Sequence, residues 1–259
     1  MRPAILRIGF GCGRILGGSE AAASRRLIET ALDCGIRHFD TAPSYGGGQS
    51  EAILGDVLCG VADVTVTTKV GAQVVAPRTI GTAHRFYRQW LKPLLARAPR
   101  LKATVLGHLP GRRDVPRPPE ALTGEMVQRS LERSCAVLRR RPDILLLHEP
   151  LRLAIADEVL PLFHTLARDG AIGDFGYGTG TAEPFTFGTI VQQRYDPACP
   201  VLSDPQFEVF FHGTLNSPEL KGSARDRLYA AMARHDRASF VFSASTPAQI
   251  RQLTSAAQG

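Results

Sequence analysis

The apolar positions of the chain form short continuous runs that alternate with stretches of helical periodicity. The runs have the length and β-branched content of buried strands, and they predict strands one to five at residues 5–10, 36–39, 64–70, 144–148 and 170–176. Apolar residues three or four positions apart predict helices at residues 21–34, 50–58, 123–138 and 157–168. Strands that alternate with helices are typical of an α/β fold with a parallel sheet.

The last third of the chain has a less regular pattern. It predicts a weakly marked helix at residues 182–193, a sixth strand at 204–210, a helix at 224–234, an eighth strand at 240–245 and a final helix that begins near Thr246. Only residues 212–239 separate the predicted sixth and eighth strands. At about 1.5 Å per helical residue and about 3.3 Å per strand residue, this segment is too short for two helices, a strand and their turns. We therefore expect the seventh βα unit to be missing or degenerate.

One connection, residues 71–122, is far longer than the others. Most connections that follow a strand take about 2–6 residues, whereas this one predicts a helix at residues 85–97 and an irregular segment rich in Pro and Arg at residues 110–119. The length of 259 residues suits one α/β barrel. We expect a single barrel domain over residues 1–259, with this insertion after strand three covering or shaping the active-site face.

Composition and charge exclude several classes of function. The chain is 44% hydrophobic with 25 Gly and 18 Pro residues, which is typical of a soluble globular enzyme. It has no apolar run of about 18 residues that could span a membrane, and its first residues lead into a strand rather than an export signal, so we expect a cytoplasmic protein. The net charge of +7 comes mainly from arginines spread along the chain without interleaved aromatic residues, which argues against nucleic-acid binding.

The cysteines and the scattered histidines show no spacing typical of a metal site. No CxxC pair is present, and we expect free thiols at Cys12, Cys34, Cys59, Cys135 and Cys199. We expect ordinary surface or loop histidines at His84, His164, His212 and His235. The sequence therefore predicts no bound metal.

Candidate chemistry lies where the early strands end. Asp40 ends strand two, Tyr45 follows it on a glycine-rich loop, Lys69 ends strand three and His148 ends strand four. Because the carboxyl ends of barrel strands lie at one face, we expect these four side chains to converge there.

Together, these side chains can deliver a proton to a carbonyl oxygen. A phenol with a pKa of about 10 is poorly matched to neutral pH, so Tyr45 needs a neighbour that stabilises its phenolate. Lys69 can supply positive charge, and Asp40 can hold Lys69 in an ion pair. His148 can donate a hydrogen bond to the carbonyl oxygen and orient it. Tyr45 is therefore the predicted general acid.

The amino-acid sequences of these segments resemble the motifs of the aldo-keto reductase family. The segment DTAPSYGGGQSEAILG at residues 40–55, TTKV at 67–70 and RPDILLLHEP at 141–150 follow the family's motifs in register. The resemblance implies a (β/α)8 barrel in which Asp40, Tyr45, Lys69 and His148 are the catalytic residues. It also implies a small carbonyl substrate and NADPH or NADH as cofactor.

The resemblance further implies residues that bind cofactor and substrate. Gly178 and Thr179 stand where the family usually has Ser-Asn, and Gln206 falls where a second carboxamide-binding residue lies. The end that holds the adenosine phosphate resembles the segment with Ser243, Ser245, Thr246, Gln249 and Arg251. The glycine-rich turn after strand one places Phe10 and Cys12 beside the substrate.

Three functions agree with these features. The first is a nicotinamide-dependent oxidoreductase that acts on an aldehyde or ketone in a shortened cofactor cleft. The second is a redox-silent enzyme that uses the same acid–base residues for elimination, isomerisation or cyclisation. The third is a non-catalytic barrel that serves as a binding module, and a homo-oligomer is compatible with each of the three.

Overall fold

Eight parallel strands close into a barrel in the computed structural model, which describes residues 7–71, 121–180 and 185–255. Each strand pairs with its successor in sequence, and the eighth pairs with the first, so the barrel has no free sheet edge. The predicted (β/α)8 barrel is confirmed. The strands are β1 (Ile8–Gly11), β2 (His38–Asp40), β3 (Thr65–Val70), β4 (Ile144–His148), β5 (Asp174–Gly178), β6 (Ile190–Arg194), β7 (Glu208–His212) and β8 (Ser239–Phe242).

Six α-helices of the described residues begin close to the positions that the sequence predicts. They are α1 (Ala21–Asp33), α2 (Ser50–Val57), α3 (Gly124–Leu138), α4 (Val159–Arg168), α5 (Ala224–Arg234) and α6 (Pro247–Thr254). The predicted cap at Thr123 is confirmed, because its hydroxyl accepts a hydrogen bond from the Met126 backbone nitrogen. None of these helices combines the length and apolar character that a membrane crossing requires.

Side chains alternate along each strand between the inside and the outside of the barrel, so the buried apolar residues form two separate clusters. Side chains that point into the barrel form a small cluster of Ile144, Leu146, Ile190, Phe210 and Val241. Side chains of the opposite parity, such as Phe10 and Phe39, join a larger cluster with residues of the helices. The carboxyl end of the barrel interior is left to polar residues, which form the site described below.

Two expectations for the last third of the chain are wrong. Residues 190–193, the end of the helix predicted at residues 182–193, belong to β6, where the β-branched pair of Ile190 and Val191 suits a strand. The predicted sixth strand is therefore β7. The seventh unit is not missing, since β7 and α5 are both present. The described residues instead have no α-helix between β5 and β6 or between β6 and β7.

An aromatic cluster covers the barrel where the helix after β5 is absent from the described residues. The ring of Phe187, 5% exposed, lies 5.0 Å from the ring of Phe163 on α4 and 5.2 Å from that of Phe175 on β5. The ring of Phe185 lies 5.6 Å from that of Tyr177. These side chains exclude water from the outer face of β5 without a regular helix.

Most of the predicted insertion lies outside the described residues, as do the helix predicted at residues 85–97 and His84. The single-domain organisation over residues 1–259 therefore stays a prediction. The five cysteines are free thiols: Cys12 and Cys199 are buried, Cys34 and Cys135 are half-buried and Cys59 is exposed.

Candidate active site

A buried ion pair lies at the carboxyl end of β2 and β3. Lys69 Nζ donates to Asp40 Oδ1 at 2.5 Å and to the Thr41 carbonyl oxygen at 3.0 Å. Gln192 on β6 donates from Nε2 to the same Asp40 oxygen at 2.8 Å. Burial lowers the pKa of Lys69, but the charge of Asp40 and the interaction with Tyr45 outweigh it, so this pKa ends above its ordinary value. Lys69 therefore keeps a positive charge inside the barrel.

Tyr45 begins a tight turn, Tyr45–Gly48, in the loop that follows β2. Gly46 has a φ of 60°, and a Cβ there would lie 1.9 Å from the Ile15 carbonyl oxygen, so the turn requires glycine. Lys69 Nζ lies 4.8 Å from the centre of the Tyr45 ring. Burial raises the pKa of Tyr45, and Lys69 offsets part of this rise. The phenol is protonated at neutral pH, which is the form that can donate a proton.

His148 ends β4, and its ring lies beside that of Tyr45. The two ring centres are 6.3 Å apart and the ring planes meet at 85°. Burial, followed by the charge of Lys69, lowers the pKa of His148 to about 4. The imidazole is therefore neutral at pH 7 and can offer one N–H without adding a second positive charge beside Lys69.

The four predicted catalytic residues border one cavity of about 390 Å³. The structure thus brings Asp40, Tyr45, Lys69 and His148 together. All eight strands contribute to its wall, through Gly11, Asp40, Lys69, His148, Gly178, Gln192, His212 and Phe242. A cavity built from the carboxyl ends of all strands is where barrel enzymes place their chemistry.

The ends of β4, β5 and β7 and residue Gln192 of β6 are joined by hydrogen bonds around the rim of this cavity. Glu149 has a φ of 55°, an unusual conformation for a residue with a side chain, and its Oε1 accepts from the Gly180 backbone nitrogen at 2.9 Å. The Thr179 backbone nitrogen donates to the Gln192 carbonyl oxygen at 2.8 Å. His212 Nε2 lies 3.0 Å from the Thr179 carbonyl oxygen. These contacts fix the Gly178–Thr179 segment.

The predicted cofactor residues fall into two groups. Gly178, Thr179 and Ser243 border the cavity, and Ser245 accepts a hydrogen bond at 2.9 Å from Arg14, which also borders it. Thr246, Gln249 and Arg251 do not border it. Gln249 Oε1 instead accepts from the backbone nitrogens of Ser245 and Thr246, and the Thr246 hydroxyl caps Gln249, so both side chains serve the start of α6.

Three other predicted site residues lie away from the cavity. Gln206 is exposed in the turn before β7, which is the amino end of the strand and so the opposite end of the barrel. Phe10 is 1% exposed and packs its ring 5.9 Å from that of Phe242 on the helix side of the sheet. Cys12 is fully buried in the same outer core. On β1 it is Gly11, one position after Phe10, that faces the cavity, so Phe10 and Cys12 are packing residues.

Several residues that border the cavity are not among the site residues predicted from the sequence. Gln192 was hidden in the predicted helix at residues 182–193, and His212 was expected to be an ordinary loop histidine. Both follow from the alternation of inward and outward positions once β6 and β7 are placed correctly. Other residues that border the cavity and were not predicted include Arg14, Glu149, Thr214, Leu215 and Asn216. Among the described residues, no group of three or more His, Cys, Asp or Glu residues could hold a metal ion.

Comparison with known proteins finds a family model and two characterised relatives that match parts of the chain. The model of the aldo/keto reductase family matches residues 7–184, more than half of the chain. Pyridoxal 4-dehydrogenase from Microbacterium luteolum is 46% identical over 61 residues, and aldo-keto reductase YhdN from Bacillus subtilis (strain 168) is 46% identical over 56 residues. These matches cover 22% and 20% of this chain and only 18% and 17% of the two relatives.

Solved structures resemble the chain over nearly its whole length. An aldo-keto reductase from Bacillus halodurans in its holo form has a TM-score of 0.65 at 18% identity, covering 98% of this chain and 87% of that one. An aldo-keto reductase from Klebsiella pneumoniae in complex with NADPH has a TM-score of 0.61 at 16% identity, covering 97% and 84%. At these identities the similarity concerns the fold.

Proposed function

The chain belongs to the aldo/keto reductase family, and on that premise we propose that it is an oxidoreductase that interconverts a small carbonyl compound and its alcohol with a nicotinamide cofactor. The observation that carries the proposal is the meeting of Asp40, Tyr45, Lys69 and His148 at one cavity. A protonated phenol, a buried ammonium and a neutral imidazole are the groups that proton delivery to a carbonyl oxygen requires.

Each catalytic side chain has a role that follows from its surroundings. Tyr45 donates its proton to the oxygen of the carbonyl as negative charge develops there. Lys69 stabilises the phenolate that Tyr45 then becomes, since its ammonium lies over the phenol ring. Asp40 holds Lys69 in place, and Gln192 in turn holds Asp40. His148, neutral at pH 7, donates a hydrogen bond that orients the carbonyl oxygen.

The residues around the cavity suit a nicotinamide cofactor, which supplies hydride when it is bound. Thr179, Gln192 and Ser243 border the cavity with polar groups, and the guanidinium of Arg14 offers a cation for phosphate. The volume of about 390 Å³ lies in the range of small-molecule sites. The structural relative that was solved in complex with NADPH supports this assignment.

One observation favours the redox-silent enzyme as a second candidate. The cavity reaches Ser243 but not Thr246, Gln249 or Arg251, and the side chains of Thr246 and Gln249 are used to cap α6. A cofactor that depends on this segment would have to displace the capping contacts. Acid–base chemistry next to a carbonyl group needs only the residues of the cavity.

Cofactor binding distinguishes the two candidates. Calorimetric titration with NADPH and with NADH should give a Kd in the micromolar range for at least one of them. The Arg14→Ala variant should weaken this binding about tenfold, since hydrogen bonds to charged groups contribute about 1.5–3 kcal/mol. The Arg251→Ala variant, which removes a cation outside the cavity, should bind like the wild type. Absence of binding at millimolar cofactor would leave the redox-silent enzyme.

A further inference from the structure

The loop that carries Tyr45 is closed at its base by two buried hydroxyls. Thr41 directly follows β2 and Ser50 is the first residue of α2, so they flank the loop of residues 42–49. Both are fully buried, and their hydroxyl oxygens are 3.0 Å apart. Ser50 Oγ also donates to the Cys12 carbonyl oxygen at 3.1 Å. Because a hydroxyl has one proton, Thr41 is then the donor to Ser50, and the chain of hydrogen bonds joins the ends of β2 and β1.

The second residue of α2 holds the end of β3. Glu51 is buried, and its Oε1 accepts a hydrogen bond from Thr68 Oγ1 at 2.6 Å. The Ser134 hydroxyl on α3 hydrogen-bonds to the same carboxyl group. Thr68 directly precedes Lys69 on β3. Because successive side chains of a strand point to opposite faces, Thr68 bonds on the helix side of the sheet while Lys69 reaches into the barrel.

These two sets of contacts meet at the ammonium of Lys69. It donates to the Thr41 carbonyl oxygen, and it lies 4.8 Å from the centre of the Tyr45 ring. Thr41 therefore holds Lys69 through its carbonyl group and α2 through its hydroxyl. A displacement of about 1 Å at a reacting centre can cost about 100-fold in rate. The residues that join α2 to the two strand ends are here called the α2 clasp: Thr41, Ser50, Glu51 and Thr68.

We propose that the α2 clasp is a set of positioning residues that holds the Lys69 ammonium against the Tyr45 ring. None of its members is among the described residues that border the cavity, so the clasp acts through Lys69 and not on a bound molecule. Its importance for turnover rests on the proposed function, in which Lys69 stabilises the phenolate of Tyr45. The position of the ammonium is nevertheless measurable without any reaction.

The titration of Tyr45 reports where the ammonium lies. Burial raises the pKa of Tyr45, Lys69 lowers it, and Asp40 and the Cys12 thiol raise it further. His148 also lies beside the ring and is neutral at pH 7. If loss of the clasp lets the ammonium move away, the pKa of Tyr45 should rise. A substitution that only lowers the stability of the fold leaves this pKa of the folded protein unchanged.

The test removes single hydroxyls while keeping the shape of the side chain. Thr41→Val and Thr68→Val each remove one hydroxyl of the clasp, whereas Thr41→Ser and Thr68→Ser keep it. The two sites lie at different strand ends, so one remains informative if a variant at the other fails to fold. Thr30→Val is the matched control, because its buried hydroxyl donates to the Arg26 carbonyl oxygen at 2.7 Å within α1.

Three measurements are made on each variant. Fluorine NMR of protein labelled with fluorotyrosine gives the pKa of Tyr45 without turnover, and the Tyr45→Phe variant assigns its signal. The electron-withdrawing fluorine makes the phenol more acidic, which brings its titration closer to neutral pH. Steady-state assays with glyceraldehyde and NADPH give kcat, and calorimetry gives the Kd of NADPH.

Both valine variants should raise the pKa of Tyr45 and lower kcat about three- to tenfold, the factor that corresponds to one hydrogen bond. The Kd of NADPH should stay within about twofold of the wild type, because the clasp does not border the cavity. Both serine variants should restore the pKa and kcat. Thr30→Val should leave the pKa and kcat unchanged, although it also loses a buried hydrogen bond.

The outcomes separate this proposal from the proposed function. A Tyr45 pKa that stays at the wild-type value in both valine variants would overturn the clasp, whether or not kcat falls, and would leave the oxidoreductase standing. Serine variants that resemble the valine variants would also overturn it, since the hydroxyls would then be irrelevant. A raised Tyr45 pKa in a protein that binds no nicotinamide cofactor would support the clasp and overturn the oxidoreductase.

Discussion

Lys69 connects two of the other proposed catalytic side chains, Asp40 and Tyr45. Its ammonium contacts Asp40 and the Thr41 carbonyl, lies over the Tyr45 ring and is 2% exposed as a residue. A buried ammonium without partners would lose its charge to desolvation. The pairing with Asp40 therefore keeps a positive charge beside the phenol, where the proposed chemistry needs it.

Replacing Lys69 by Met should abolish turnover and destabilise the fold. The change leaves the Asp40 carboxylate buried without its countercharge, and breaking a buried pair in this way costs about 3–5 kcal/mol. Urea unfolding monitored by circular dichroism measures the loss. Lys221→Met, at an exposed position, should change the free energy of unfolding by less than about 0.5 kcal/mol. Equal stabilities of the two variants would contradict the structural role of the ion pair.

His38 makes stability depend on pH from inside the barrel. Its Nε2 lies 2.9 Å from Thr67 Oγ1, and burial lowers its pKa to about 4. In the unfolded chain this pKa is about 6.5. Between these values the unfolded chain binds a proton that the folded protein does not, so stability falls as the pH drops through this window.

The His38→Gln variant should lose less stability on acidification than the wild type. Between pH 7 and pH 4.5, a His38 shift of this size corresponds to about 2 kcal/mol. Urea unfolding of both proteins at the two pH values gives the difference, because the remaining titrating groups are common to both. A wild type and variant that lose stability in parallel would show that His38 is not held neutral.

At the scale of single residues, more of the proposed catalytic residues than of the proposed binding residues border the cavity, as the sequence predicts. Asp40, Lys69 and His148 each end a strand with a clear apolar pattern, so their position at the barrel mouth could be predicted. Phe10 was placed beside the substrate although it faces outward. Successive side chains of a strand point to opposite faces, so a predicted position that is wrong by one residue places the side chain on the other face of the sheet.

At the scale of elements, β6 is the strand that the apolar pattern of the sequence could not distinguish from a helix. Residues 190–194 are too few for periodicity to separate a strand from a helix. Among the described residues, no α-helix lies between β5 and β6 or between β6 and β7 to mark where this strand begins and ends. Among the described residues before β6, aromatic side chains rather than a helix cover this face of the barrel, as a form of compensation. A compensation of this kind depends on contacts between distant residues, which a local pattern does not contain.

The ring of Phe187, which packs against the outer side of β5, should therefore contribute strongly to the free energy of unfolding. Phe187→Ala removes a buried ring that packs on Phe163 and Phe175, and such deletions cost about 3–5 kcal/mol. Thermal and urea unfolding measure the effect. Leu151→Ala, at an apolar residue that is 46% exposed, is the matched control and should be nearly neutral. If Phe187→Ala were as mild as the control, the segment would not replace a helix.

At the scale of the whole molecule, the barrel closes although two of its connections have no helix among the described residues. Parallel pairing runs from β1 through β8 and back to β1, so the carboxyl ends of all strands face one cavity. The proposed catalytic residues still border the cavity at the mouth of this barrel.

Tyr45 is the proposed proton donor, and the Tyr45→Phe variant tests this role most directly. The change removes one hydroxyl and keeps the ring, so the Kd of the cofactor should stay within about twofold of the wild type. The kcat for an aldehyde that the wild type reduces, followed by absorbance of the reduced nicotinamide, should fall about 100- to 10,000-fold. A variant that binds cofactor and retains kcat within about tenfold would contradict the central claim.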